Sequence, residues 1–298
     1  MIAAKTVIVT GDDFGLSPEV NAGILRAHRE GVLRGTSLMV AEAAAPAAAE
    51  AARANPGLDV GLHLAVCRGR SVLAPERLGG LVDAASEFAH NPTLAGMRYF
   101  FDRRIRDALR AECRAQLERH LELVGYLNHL DGHLNFHVHP VLAAIAIELA
   151  TEHQVPFIRL PLEPLRTTLG IARDHAPRKL VEAIIFHTLA RRTRRLMAER
   201  GIRSSDRLFG LHQSGHLSEQ YLLGVIGRLP EGITELYFHP AADIGTTPPP
   251  PAAQRDLQLL TSPAIRAALA RAGAVLTNFA ELAAAATHPV LAESPRLT

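Results

Sequence analysis

The stretch Thr6-Val7-Ile8-Val9-Thr10-Gly11-Asp12-Asp13-Phe14-Gly15-Leu16-Ser17 contains the features that decide the fold. Its β-branched start, Thr6 to Val9, is typical of a buried strand, which we place at about residues 5–10. Ser17 is a favourable N-cap residue for a helix, and Gly31 can end that helix. The stretch therefore predicts a strand that runs directly into a helix, which is the repeating unit of parallel α/β sheets.

The same alternation of strand and helix continues along the chain. Further strand-like runs lie at about 36–40, 58–64, 126–130, 157–160, 207–213, 233–239 and 274–277, and helix-like runs at about 43–54, 98–124 and after Pro140. This pattern predicts an α/β fold, an irregular (β/α) barrel of seven or eight parallel strands with outer helices. We expect a single barrel domain over residues 1–286, with a basic helical insertion at about 165–207 and a C-terminal tail at 287–298.

Side chains that bind metals or transfer protons follow several predicted strands. The densest group is Asp131-Gly132-His133-Leu134-Asn135-Phe136-His137-Val138-His139-Pro140. At the carboxyl ends of predicted strands we find Asp12, Asp13, His63, Asp131, His133 and His239. These ends meet at one face of a barrel, and at one edge of an open doubly wound sheet, so both topologies predict a shared site. Two imidazoles and one carboxylate can hold a catalytic metal and leave room for water or substrate.

Structural roles remain open alternatives for these residues at this point. Asp12 and Asp13 could cap a turn or the following helix. His63 could be a hydrogen-bonded core histidine, and His239, which precedes a proline, could be a loop histidine. Their convergence at one end of the sheet favours the functional reading.

The composition excludes several classes of protein. The chain has 298 residues, 48% of them hydrophobic, so it can bury a large core. A formal net charge of +2 does not indicate nucleic-acid binding. Cys67 and Cys113 lie far apart, so we expect no disulfide framework and a reducing compartment. Without an apolar leader or a run long enough to span a membrane, the sequence predicts a cytoplasmic protein.

The chain resembles the YdjC-like carbohydrate deacetylases over about residues 5–285. The motifs that carry the resemblance are Asp12-Asp13-Phe14-Gly15-Leu16-Ser17, Gly61-Leu62-His63-Leu64, Asp131-Gly132-His133 with His137, and Thr234-Glu235-Leu236-Tyr237-Phe238-His239-Pro240. Two further segments, Phe209-Gly210-Leu211-His212-Gln213-Ser214-Gly215-His216-Leu217-Ser218 and Asn135-Phe136-His137-Val138-His139, resemble the hopanoid-biosynthesis-associated branch. Removal of acetyl from an N-acetylglucosaminyl hopanoid lipid is ascribed to that branch.

The resemblance implies a role for each matching residue. Asp13, His63 and His133 become the ligands of one divalent metal ion. Asp12 becomes the general base and His239 the general acid. Mg²⁺ is the metal often described for the family, whereas these ligand types also suit Zn²⁺.

Three nearby residues receive supporting roles. Asp131 is placed to orient a ligand imidazole from behind. Many relatives have histidine where this chain has Asn135, so Asn135 could bind substrate but cannot move protons. His137 is expected to bind substrate or to support the ligands.

The expected activity is that of a metal-dependent N-deacetylase acting on an N-acetylated amino sugar. The products would be acetate and the free amine, and the most specific substrate is the N-acetylglucosaminyl hopanoid lipid. Deacetylation of soluble chito-oligosaccharides and a non-catalytic sugar- or lipid-binding barrel remain alternatives. A metal phosphoesterase would require phosphate-binding loops or a two-metal cluster, and neither is clear in the sequence.

Arginines are concentrated in residues 166–207. A predicted helix within this segment carries an apolar stripe of Leu180, Ile184, Ile185, Leu189 and Leu196. A basic amphipathic helix can lie on an anionic membrane surface, which would suit a lipid-linked substrate. An ordinary outer helix whose stripe packs on the barrel is the favoured explanation of the pattern, and peripheral contact with the inner membrane stays open.

Overall fold

The computed structural model describes residues 5–287. Its strands are β1 (Lys5–Phe14), β2 (Gly35–Leu38), β3 (Asp59–Leu64), β4 (His129–Gly132), β5 (Phe157–Ile158), β6 (Arg207–Phe209), β7 (Gly232–Phe238) and β8 (Val275–Thr277). Its helices are α1 (Pro18–Glu30), α2 (Ala45–Arg53), α3 (Pro92–Phe101), α4 (Arg106–Val124), α5 (Pro140–Glu152), α6 (Leu165–Ile171), α7 (Ala176–Ala198), α8 (Glu219–Ile226), α9 (Pro251–Leu260), α10 (Pro263–Arg271) and α11 (Phe279–Thr287). Apart from Thr287, the predicted tail lies outside the described residues.

The strands form one parallel sheet that curls round on itself. Their order is β5-β4-β3-β2-β1-β7-β6, and β8 also pairs with β1. At the two ends of this path, the amide of Leu208 donates to the carbonyl of Leu162 at 3.1 Å, and Phe157 forms a parallel bridge with Arg203. These contacts join the β5 side to the β6 side. The predicted α/β class and irregular (β/α) barrel are therefore confirmed.

Alternate residues of β1 face two different layers, as the pleat of a strand requires. Val7 and Val9 belong to the large core that also contains helix residues such as Ile24. Ile8 packs instead with Phe157, Ile233 and Phe279, in a small cluster of their own. The inward face of β1 then continues through Thr10 to Asp12, so it changes from apolar to polar towards the carboxyl end.

The local signals around α1 act as predicted. Ser17 is extended, and its hydroxyl accepts a hydrogen bond from the amide of Val20 at 3.3 Å. Pro18 occupies the first turn, where it has no amide bond to lose. This cap fixes the turn that follows the two carboxylates of β1.

The single helix predicted at 98–124 is wrong, because the structure has two helices there. The earlier helix, α3, begins at Pro92, where Asn91 caps it by accepting from the amides of Thr93 and Leu94. Asp102 is extended and accepts from the amide of Arg104 at 3.1 Å, which starts a short 3-10 turn before α4. The break between α3 and α4 is made by one capping residue, Asp102, although the surrounding residues are good helix formers.

The arginine-rich segment contains α6 and α7 within the β5–β6 connection. The first half of α7 leaves Leu180, Ile184 and Ile185 exposed. Leu189 and Leu196 are partly buried and pack on the main core. The predicted apolar stripe is therefore divided between solvent and barrel. No helix among the described residues has the length and apolar character needed to cross a membrane.

We predict a stability effect at His120 of α4. Its Nε2 lies 3.0 Å from the carbonyl of Tyr126, so the neutral ring donates to the segment that leads into β4. Burial lowers the pKa of His120 to about 4. Between about pH 6.5 and 4 the unfolded chain therefore binds more protons than the folded chain. The neutral His120 ring contributes its full stabilisation above pH 6.5, and this stabilisation is lost as the pH falls towards 4.

Urea unfolding between pH 7 and pH 4.5 measures this effect. The wild type should lose free energy of unfolding more steeply than His120→Gln, by up to about 1.4 kcal/mol per pH unit. His90→Gln is the matched control, because the His90 side chain is 79% exposed. Identical slopes for the wild type and His120→Gln would contradict the prediction.

Candidate active site

Asp13, His63 and His133 meet at the carboxyl ends of β1, β3 and β4. Oδ1 of Asp13 lies 2.8 Å from Nδ1 of His133 and 3.2 Å from Nε2 of His63. Their potential ligand atoms all lie within 4.8 Å of one another. One carboxylate and two imidazoles at this spacing form a donor set for one divalent metal ion.

The backbone of β1 is strained at Asp13. This residue has φ of 67°, a left-handed conformation that non-glycine residues seldom adopt. The pairing of β1 with β2 is irregular between Gly11 and Phe14. The strain interrupts the alternation of side chains, so the consecutive residues Asp12 and Asp13 both face the site. Strain of this kind persists where the surroundings enforce it, often at functional sites.

The ring of His63 is held from behind by two partners. Its Nδ1 lies 2.7 Å from Oδ1 of Asp131 and 3.0 Å from the hydroxyl of Ser37. A neutral ring that donates from Nδ1 to Asp131 presents a lone pair at Nε2, the atom that faces Asp13. A carboxylate behind a histidine is the usual way to fix the tautomer that a metal requires.

Arg159 is fully buried and is surrounded by carboxylates. Its guanidinium contacts both oxygens of Asp12, at 2.6 and 2.8 Å, and also Glu235 and Asp131, each at 2.8 Å. With the adjacent Asp13, four carboxylates lie close to one guanidinium, which is a formal excess of three negative charges when all four are ionised. Burial raises the pKa of Glu235 and so favours its neutral form, which would reduce the excess to two. A divalent cation would reduce this excess, so the residues present fit a metal ion.

The charges of the site favour a cation at the Asp13–His63–His133 group. Burial alone would lower the pKa of His63, but Asp131, Asp13 and Asp12 outweigh it and raise the pKa to about 10. For the carboxyl group of Asp13, burial acts in the opposite direction and would raise the pKa. His133 and His63 outweigh burial and hold the pKa of Asp13 well below its usual value. The same carboxylates that attract a proton would attract a metal ion.

His239 follows β7 and faces the same cavity as the two carboxylates of β1. Its amide donates to Asp256 at 2.9 Å, and its ring centroid lies 5.4 Å from that of Tyr237. Asp12, Asp13 and His239 line a cavity of about 450 Å³. Its other walls come from the start of α1 and from the segment Thr247–Pro250. A substrate in this cavity could reach all three side chains.

Neither Asn135 nor His137 belongs to the group of potential metal ligands formed by Asp13, His63 and His133. His137 is buried, and its Nε2 lies 2.9 Å from the carbonyl of Arg159. His137 therefore supports the backbone at Arg159, directly after β5. Asn135 has φ of 57°, a left-handed conformation.

The sequence reasoning did not identify Arg159 or Asp256. Arg159 stands in the apolar run Phe157–Leu160, and a charged residue inside a buried strand usually has a charged partner. That signal could have found Arg159, although not its partners. Asp256 lies on α9 and binds a backbone amide, so no sequence motif marks it.

The fold and the site define an α/β barrel with a candidate mononuclear metal centre at the carboxyl ends of its strands. The YdjC-like protein family matches residues 6–271, and the chain belongs to that family.

Similar proteins include several named carbohydrate deacetylase. The one from Vibrio parahaemolyticus is 28% identical over 283 residues, which is 93% of this chain and 96% of that protein. The one from Thermoanaerobacter pseudethanolicus is 26% identical over 237 residues, 80% of this chain and 81% of that protein. A crystal structure from Enterococcus faecalis V583, provisionally described as a cellobiose-phosphate cleavage protein, has the same fold. Its TM-score is 0.74 at 23% identity, and the match covers 94% of this chain and 99% of that one.

We predict that Arg159 is essential for stability. Arg159→Met should lower the free energy of unfolding by about 3–5 kcal/mol, because it leaves Asp12, Asp131 and Glu235 buried without their counter-charge. Arg26→Met is the control, since Arg26 and Glu30 form an exposed pair that should contribute less than about 1 kcal/mol. Denaturant unfolding of both variants measures the difference. Equal, small losses would show that the buried carboxylates do not depend on Arg159.

Proposed function

We propose that this protein is a metal-dependent carbohydrate N-deacetylase, which hydrolyses the acetamide of an N-acetylated amino sugar. The observation that carries the proposal is the Asp13–His63–His133 group, whose Asp13 lines one cavity together with Asp12 and His239. Membership of the YdjC-like family and the names of the similar proteins support the reaction class.

The chemistry divides among these residues. A bound divalent ion, Mg²⁺ or Zn²⁺, would lower the pKa of a water molecule and polarise the amide carbonyl. Asp12 would accept the proton of the attacking water on its carboxylate. Arg159 holds both oxygens of Asp12, which fixes the direction of the carboxylate. His239 would donate a proton to the departing nitrogen, since an amine leaves only after protonation.

For the substrate, we propose the N-acetylglucosaminyl group of a hopanoid lipid. The resemblance of residues 209–218 and 135–139 to the hopanoid-associated branch supports this choice. A lipid-linked substrate would bring the enzyme to a membrane surface. A soluble chito-oligosaccharide remains the second candidate, because it carries the same acetamide and the same amino sugar.

Variants of Asp12 and Asp13 should lose different properties of the enzyme. Asp13→Ala should lose both metal binding and acetate release, because it removes a ligand. Asp12→Asn should keep the metal but lose acetate release by about a hundredfold or more, because the amide cannot accept a proton. Metal content per chain and acetate release measure the two properties. Glu118→Ala is the control, since Glu118 is an exposed carboxylate of α4 that lines neither the candidate site nor the basic cavity.

Two results would contradict these assignments. Full metal content in Asp13→Ala would remove Asp13 from the ligand set. Unchanged handling of the sugar in Asp12→Asn and His239→Ala would favour a non-catalytic binding barrel.

The substrate is tested by comparing two acetylated sugars. Purified protein with added metal should release acetate from an N-acetylglucosaminyl hopanoid, and chelator should stop the release. N-acetylchitobiose serves as the soluble comparison. Release from the soluble sugar alone would keep the deacetylase and discard the hopanoid. Release from neither sugar, with metal bound, would refute the proposed reaction class.

A further inference from the structure

Two neighbouring helices expose large apolar side chains to solvent. On α3 these are Leu94, Met97, Phe100 and Phe101, and on α7 they are Leu180, Val181, Ile184 and Ile185. Each is at least 47% exposed, which is unusual for so many large apolar residues on two adjacent helices. An exposed apolar patch of this kind marks a surface that binds a partner.

An apolar groove of about 330 Å³ lies between these helices. Met97 of α3 and Ile185 of α7 form its sides, and Leu134 and Phe136 contribute to its lining. Leu134 directly follows His133, so the groove begins beside the candidate metal site. The carboxylate of Glu182 in this groove lies 2.6 Å from Arg178, which compensates its charge.

A basic cavity of about 510 Å³ continues from the groove along the same helices. It is lined by Phe100 of α3, by Arg192 of α7, by Arg103 in the turn before α4, and by Arg106 and Arg110 at the start of α4. One carboxylate, that of Asp107, also lines it and lies 3.6 Å from Arg110. Arg110 is paired with Glu148 at 3.1 Å. Arg103 and Arg192 are exposed. Nε of Arg106 is buried and has no hydrogen-bond partner among the described residues.

The groove and the cavity share three structural elements, which makes them one face. Along α3 the lining passes from Met97 to Phe100, and along α7 it passes from Leu189 to Arg192. At the start of α5, His139 belongs to the groove and Pro140 to the basic cavity. The face is therefore amphipathic, with an apolar end beside the candidate active site and a cationic end further along both helices.

We propose that this α3–α7 face docks the enzyme on a bilayer that contains anionic phospholipid. The apolar side chains of both helices enter the outer part of the lipid layer, and the arginines of the basic cavity bind headgroup phosphates. Charge complementarity favours this occupant over a second copy of the chain, because two copies would bring like-charged arginine clusters together. The inference extends the proposed function by locating its membrane contact.

Vesicle co-sedimentation of the full chain tests the proposal without any turnover. The vesicles consist of phosphatidylcholine alone, or of phosphatidylcholine with roughly one third phosphatidylglycerol. The wild type should bind the anionic vesicles, and rising salt should weaken the binding. Arg103→Glu combined with Arg192→Glu should weaken it by about thirtyfold or more. Arg228→Glu combined with Arg271→Glu is the control, since both arginines are exposed outside this face.

A second pair of variants tests the apolar part of the face. Leu180→Ser combined with Ile184→Ser should also reduce vesicle binding, by about tenfold or more. Val275→Ser, at another exposed apolar residue, should not. Metal content should equal that of the wild type in all variants, which separates this test from the proposed reaction.

Several outcomes would overturn the docking proposal while leaving the deacetylase intact. These are no binding of the wild type to anionic vesicles, equal binding to both kinds of vesicle, or equal loss in the control variants. A wild-type dimer that Leu180→Ser with Ile184→Ser dissociates would show that the face binds a second copy instead.

Discussion

The interaction on which the site depends is the buried contact between Arg159 and its carboxylates. A guanidinium that is 1% exposed would be prohibitively costly without partners, and Asp12, Asp131 and Glu235 supply them from three different strands. The contact joins β1, β4 and β7 to the chain after β5 across the inside of the barrel. It thereby fixes the side chain proposed as the base and the carboxylate that orients His63. Stability and chemistry are coupled through one side chain.

The backbone strain at Asp13 and the negative charge of the site both follow from the placement of Asp12 against Arg159. Asp12 must face Arg159 while Asp13 faces His63 and His133, which two consecutive residues of a regular strand cannot do. The left-handed conformation of Asp13 resolves this conflict at the cost of local strain. The result is an excess of negative charge in a buried place, which only protons or a cation can balance. A divalent ion held by Asp13 and two imidazoles would satisfy that requirement, and Asp12 would lie beside it with its direction set by Arg159.

Much of this arrangement could be predicted from the sequence, because parallel strands bring their carboxyl ends together whatever their exact order. That rule gathers Asp12, Asp13, His63, Asp131 and His133 from distant positions. It gives no information on Arg159, whose partners are defined only by the closed barrel. The helix break at Asp102 depends on one capping side chain, and the division of the α7 stripe depends on how far α5 covers it. The break is a local capping effect and the division of the stripe is a tertiary one, and a periodic pattern contains neither.

The most direct measurement is anomalous diffraction from crystals of the protein grown with Zn²⁺ or Mn²⁺. We expect one peak per chain, bound by Oδ1 of Asp13, Nε2 of His63 and Nδ1 of His133, with Asp12 still hydrogen-bonded to Arg159. A peak bound by other side chains, or no peak at saturating metal, would contradict the proposed metal centre. A peak with Asp12 as the ligand in place of Asp13 would exchange the roles of the two carboxylates.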